Sequence, residues 1–233
     1  MICNITIVRY PKWLSWAGFL SMAIFHLPLW LNKNIHFYKL MGCGKNGTFD
    51  IKPDLQQWAL LTVLPNEPRF AQEKISSTFI QAWWKFFRCE QYTLILEPIE
   101  AHGSWDGKAC FGILPKQTDY QGVIAVLTRA TIRFNRLSHF WKHVASVANK
   151  MNSANGFISS VGIGEIPWIK QATLSFWENK ETMKAFAYQM KEHTEVIRKT
   201  KQEKWYSEEM FVRFKPITTY GYLNGNNPLE GKC

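Results

Sequence analysis

The sequence is poor in cysteine and holds no cysteine pattern. Its five cysteines (Cys3, Cys43, Cys89, Cys110 and Cys233) include no CxxC pair. An odd, scattered set argues against a zinc ribbon or a disulfide framework and implies free thiols in a reducing compartment. No Ser-His-Asp order, paired-carboxylate motif or P-loop can be read, so hydrolase chemistry has no positive support. Gly42-Cys-Gly44 and Gly162-Ile-Gly164 lack the third glycine and the following helix of a dinucleotide loop, and read instead as turns or bulges ending strands. His139 and His143 stand four apart, but no Glu follows His139, so the zinc-protease pattern is absent and both read as surface residues.

Acidic residues are in deficit, 18 against 28 Lys and Arg, for a net charge of +10. The basic residues are dispersed, and the one dense run, Arg198–Lys204, falls on a predicted helix as a solvated face. Without clustered positive charge and exposed aromatics together, no nucleic-acid partner is expected. Aromatics reach 15% and include eleven Trp, more than a core needs, which points to a cavity for a large flat or extended apolar ligand. Trp13–Leu31 carries no charged residue and approaches the roughly 20 residues a bilayer span requires. Ser15, Ser21, His26 and Pro28 interrupt it, and no small-residue cleavage site follows, so it reads as a buried or interfacial helix.

A faint internal repeat sets the fold. Ile7-Val-Arg-Tyr10 matches Thr131-Ile-Arg-Phe134, and each precedes an apolar helix, Trp13–Trp30 and Leu137–Met151. Phe37–Gly44 then matches Phe157–Gly164, and Trp58–Leu64 matches Gln171–Trp177. Helices over 71–88 and 181–204 follow, and the last strands share Leu96-Glu-Pro-Ile99 and Phe214-Lys-Pro-Ile217. Each half is β-α-β-β-α-β, the ferredoxin-like unit. Each unit leaves one sheet face bare, and the two bare faces bury each other. The predicted fold is therefore α+β: two tandem ferredoxin-like units, 1–110 and 111–233, forming an intrachain dimeric α+β barrel. Residues 103–121 form the linker, and the second unit carries the active site.

Two constellations could carry chemistry. On the helix from Glu181, Met183, Phe186, Ala187, Met190, His193 and Ile197 recur at steps of three and four, so His193 faces the sheet. An inward imidazole is either bonded to a carbonyl or an axial ligand to haem iron. On the strand, Gln171, Thr173, Ser175 and Trp177 alternate with apolar residues. The neighbouring strand is expected to add Arg129, Thr131 and Arg133 to the same inward face, with Arg213 beside them. Arg129, Arg133 and Ser175 are the catalytic candidates, unless this face is simply the polar outer one.

The stretch 127–216 resembles the spheroidene monooxygenase family. It does so through Leu127-Thr-Arg-Ala-Thr-Ile-Arg133, Phe140-Trp141, Gly162-Ile-Gly-Glu165, Gln171-Ala-Thr173, Trp177, Ala185-Phe-Ala-Tyr188, His193, Val196-Ile-Arg198, Thr200, Trp205-Tyr206 and Glu208-Glu209. The first half resembles it more loosely, through Val8-Arg9, Phe37–Leu40, Gly42, Gly44 and Trp105. The resemblance implies an oxygenase that introduces a keto group at an acyclic carotenoid end by successive hydroxylations, with haem as cofactor. It implies His193 as the metal ligand, Trp177, Phe186 and Met190 beside the cofactor, and Arg198 paired with a propionate. The implied partners are a carotenoid-like substrate, an electron donor such as ferredoxin, and the surface of the inner membrane reached from the cytoplasm. A haem barrel running another reaction, such as nitrile synthesis of the aldoxime dehydratase kind, is the alternative. The tail Gly221–Asn227 and the aromatic Trp13–Trp30 helix have no counterpart in the family pattern.

Overall fold

The computed structural model describes residues 1–45, 51–65, 78–189, 200 and 202–232, with the side chains of 143–149 and 188–189 left out of the description. Eight strands close into an antiparallel barrel in the order β1-β3-β2-β6-β7-β5-β8-β4. The first half supplies β1 (Ile2–Arg9), β2 (Phe37–Gly44), β3 (Pro53–Leu64) and β4 (Glu90–Gly103). The second supplies β5 (Ile124–Ile132), β6 (Phe157–Ile166), β7 (Lys170–Trp177) and β8 (Tyr206–Gly221). Taken separately, the halves run β4-β1-β3-β2 and β8-β5-β7-β6, the same ferredoxin-like order twice, joined at β2–β6 and β4–β8. The expected barrel of two units is what the chain forms.

Alternation explains which face each residue takes. Ile5, Ile7, Leu61, Leu94, Leu127, Leu174 and Val212 point into the lumen and make its apolar core. Residues between them face outward, where the helices lie. In the first half a 3-10 turn (Lys12–Leu14) leads into α1 (Ser15–Ile24) and α2 (His26–Leu31), and α3 spans Thr78–Phe86. In the second half α4 (Leu137–Met151) matches its expected bounds, and α5 is described over Lys180–Gln189.

Both seams join repeated motifs to themselves. Gly42 pairs with Gly164 across β2–β6, while Leu96 pairs with Pro216 and Pro98 with Phe214 across β4–β8. Register shifts between Ile95 and Leu96 and between Pro98 and Glu100 break the ladder next to Pro98, where a proline can be tolerated. The seam also corrects the repeat. Gly42 is equivalent to Gly164 and not to Gly162, because irregularities between Phe157 and Ser159 and between Gly164 and Ile166 slide β6 along its neighbour.

The tail that had no counterpart is the second copy of a barrel plug. Trp105 bridges to Lys108 around Asp106-Gly107, and Leu223 bridges to Asn226 around Asn224-Gly225. All four turn residues have positive φ (51° and 72°, then 53° and 74°), as a type I′ hairpin turn requires. Trp105, Cys110, Phe111 and Leu229 sit in the lumen core, with Leu223 packed on it. Cys3, Cys43, Cys89 and Cys110 are free thiols. Burial raises all four, pushing Cys43, Cys89 and Cys110 up to about 12 and keeping them protonated.

Candidate functional site

The two helix–sheet interfaces are built from equivalent positions but filled differently. Counting back two residues from the seam glycines gives Leu40 on β2 and Gly162 on β6; opposite them on β3 and β7 stand Leu60 and Thr173. Opposite the seam glycines themselves stand Trp58 and Gln171. In the first half Leu40, Trp58 and Leu60 join Ala17, Phe25 and Trp84 in one continuous apolar cluster. Among the described residues of the second half, two apolar clusters can be named. Ile124, Met151, Trp177, Met183 and Phe186 form one cluster, and Ile132, Phe140 and Trp205 the other. Between them lies a floor of Thr128, Ser160, Gly162, Thr173 and Ser175. Thr173 Oγ1 is buried and has no hydrogen-bond partner among the described residues. An unpaired buried hydroxyl is costly, and this one lies on the polar floor.

Of the residues singled out from sequence, the structure brings Ser175, Trp177 and Phe186 together here. Trp177 is buried, donates from Nε1 to Ser175 Oγ at 3.0 Å, and packs on Phe186 with ring centroids 5.3 Å apart. Phe157 closes on its other side at 5.4 Å. Met190, His193 and Arg198 lie outside the described residues.

Arg129 and Arg133 do not share this face, contrary to expectation. Arg129 pairs with Ala172, so its side chain points into the lumen, while Gln171, Thr173 and Ser175 point outward beneath the helices. Arg133 lies past the end of β5, exposed, with Nε donating to the Tyr206 carbonyl at 3.2 Å. The arginine on the outer face is Arg213, which shares a row with Val126 and Ser175.

Arg129 instead centres a charge cluster at the plugged mouth. It is buried, ion-paired with Glu208 and with Glu165 at 3.3 Å, and its guanidinium lies 5.4 Å from the Trp105 ring. Lys39 bonds Glu165 at 2.6 Å and also pairs with Asp106, which Lys170 reaches at 3.0 Å. Trp105 Nε1 donates to Glu165 at 2.9 Å, and the Gly107 amide donates to Glu208 at 2.8 Å, so the plug is tied to β6 and β8 of the second half. A second cluster, missed from sequence, lies outside the barrel: buried Glu100 pairs with Lys180 and Arg213 and accepts from the Thr118 amide at 2.9 Å. No sequence signal marks it, since its members are spread from residue 100 to residue 213.

Burial raises the carboxyls of Asp106 and Glu100, but bonds from Lys39 and Lys170 to the first, and from Lys180, Thr118 and Arg213 to the second, bring each down to about 2. A folded pKa below the unfolded value gives stability that is present above the unfolded value, roughly 4, and lost as the pH falls through the folded one. The urea midpoint should therefore hold steady from pH 7 to about 5 and drop between about 4 and 2. Glu100→Gln should be less stable at neutral pH and show a shallower acid slope; an unchanged slope would remove Glu100 from the acid response.

No protein-family model matches the chain. It is similar to spheroidene monooxygenase of Rhodobacter capsulatus, 30% identical over 235 residues, covering 99% of this chain and 96% of the relative. It is also 33% identical over 194 residues to spheroidene monooxygenase of Cereibacter sphaeroides, where the match covers 83% of this chain but spans only 59% of the relative's length. Among solved structures, an aldoxime dehydratase superposes over 98% of this chain and 86% of its own with a TM-score of 0.66 at 9% identity, a likeness of fold alone. With a near full-length match at 30% identity, the chain belongs to the spheroidene monooxygenase family.

Proposed function

We propose that this protein is a haem-dependent monooxygenase that hydroxylates, and by repetition ketolates, an acyclic carotenoid end. The observation that carries this reading is an exchange across the repeat, where Gly162, Gln171 and Thr173 stand at the second-half positions equivalent to Leu40, Trp58 and Leu60. That exchange removes three bulky side chains from one interface and leaves an unpaired hydroxyl on its floor. The donor set fits a flat, largely apolar cofactor: Trp177 and Phe186 give an aromatic wall, and Thr173 and Ser175 give two hydroxyls. His193 continues the apolar stripe of α5 by sequence and is the residue proposed to ligate iron, with Met190 beside it and Arg198 pairing a propionate. When bound, the haem supplies dioxygen activation.

The protein's own residues then bind, orient and exclude water. The Trp177–Ser175 bond fixes the hydroxyl's direction, and the surrounding Phe157, Met183 and Phe186 keep the site dry. One oxygen atom enters a substrate C–H bond and the other leaves as water. The reaction consumes two electrons, which a reductant such as ferredoxin supplies, and two protons, which come from solvent. A second hydroxylation at the same carbon, followed by loss of water, gives the ketone.

Two measurements test this. Purified protein supplied with haem should show a Soret band that His193→Ala shifts or abolishes; an unchanged band and loading would sink the ligand assignment. A host producing acyclic carotenoids should accumulate oxygenated products on expression. Haem binding without oxygenated product would favour the aldoxime dehydratase type of reaction instead.

A further inference from the structure

The first half carries an apolar surface that the candidate site does not use. Helices α1 and α2 are anchored on the sheet through Ala17, Ser21, Phe25 and Leu29, and a Cβ on Gly18 would stand 2.3 Å from Trp58 Nε1. That close approach commits the segment to the barrel, although Lys12–Leu31 is long and apolar enough to cross a membrane. The opposite face is bare: Trp13 and Trp30 are each 73% exposed, Phe19 72% and Phe86 78%. Aromatic contacts make this face continuous from α1 to α3, with Trp16 on Phe87 at 5.7 Å and Phe87 on Phe86 at 5.0 Å. Isolated exposed apolar residues are ordinary, but a contiguous aromatic patch marks an interaction site.

Charge identifies the occupant. Residues 1–49 contain no Asp or Glu, and neither does the stretch from Thr78 to Cys89. Exposed Lys12, Lys33, Lys85 and Arg88 fringe the aromatic face. Tryptophan and phenylalanine beside lysine and arginine, with no carboxylate in 1–45 or 78–89, match the boundary between headgroups and acyl chains of an anionic bilayer.

We propose that the face formed by α1, α2 and α3 docks the protein on an anionic lipid surface without crossing it. The aromatic rings enter the acyl boundary, and the basic fringe pairs with lipid phosphates. This inference goes beyond the proposed reaction, and it stands whether or not the second half binds haem.

The test is co-sedimentation of the full chain with vesicles of phosphatidylcholine alone or with about one third phosphatidylglycerol. Partition onto the anionic vesicles should be at least about tenfold stronger at low salt, with a blue shift of Trp emission. The triple variant Trp13→Glu, Phe19→Glu, Phe86→Glu should lose about tenfold or more of that binding while keeping its circular dichroism and melting curve, since all three residues are exposed. Reversing Lys12, Lys33 and Lys85 to Glu should remove the preference for anionic lipid. Equal binding by the aromatic variant would overturn the proposal, as would wild-type protein staying on membranes through an alkaline carbonate wash. So would a concentration-dependent dimer that the aromatic variant abolishes, because a second copy would then cover this face.

Discussion

Arg129→Ala is expected to lower the unfolding free energy by about 3–5 kcal/mol, the cost of breaking a buried ion pair from one side. The guanidinium is only 1% exposed and holds Glu208 and Glu165, which are themselves mostly buried. Removing it leaves two carboxylates facing each other with less compensation and opens a void beneath Trp105. In a chain of this size the melting temperature should fall by roughly 10 °C. Urea titration of Arg129→Ala, Glu208→Gln and the double variant gives the coupling directly. The double variant is expected to lose less than the sum of the two single losses. A single-variant cost below about 1 kcal/mol would mean that solvent screens the cluster and that it does not hold the plug.

Gly103→Ala should cost about 3 kcal/mol or more, for two reasons that act together. Its φ of +89° is a conformation that side chains rarely adopt, and a Cβ there would stand 2.1 Å from the Glu209 carbonyl oxygen. That oxygen is part of the β4–β8 seam, where Gly103 pairs with Met210, so it cannot retreat without opening the barrel. Gly107→Ala is the matched control. Its φ is +72° but nothing lies within 4 Å, so only the backbone preference is lost, about 1–2 kcal/mol. Equal losses in the two variants would show that strain alone, and not the close approach, governs this corner. Gly221 repeats the arrangement with the Gln91 carbonyl at 2.1 Å and should respond as Gly103 does.

The pairing of Gly103 with Gly221 shows how far the repeat reaches. The spacing was present in the sequence, since Gly103-Ser-Trp-Asp-Gly107 and Gly221-Tyr-Leu-Asn-Gly225 share a glycine and then an Asp/Asn-Gly turn. The intervening side chains differ, because a turn is written in backbone angles more than in side-chain type.

Period-two alternation, the order of apolar runs and the repeated Gly-x-Gly and x-Pro-Ile strings determined, with no structure in hand, that the chain would fold as two β-α-β-β-α-β units closing on each other. Local signals suffice for these because strand period, helix stripe and turn chemistry are properties of neighbouring residues. Which face of the sheet Arg129 occupies was decided only in the tertiary structure, by its pairing with Ala172. A register is a relation between strands, and a step of one residue turns a side chain from floor to lumen. The same holds for the exchange of Leu40 and Leu60 for Gly162 and Thr173: their equivalence exists only once the two halves can be overlaid across their seam.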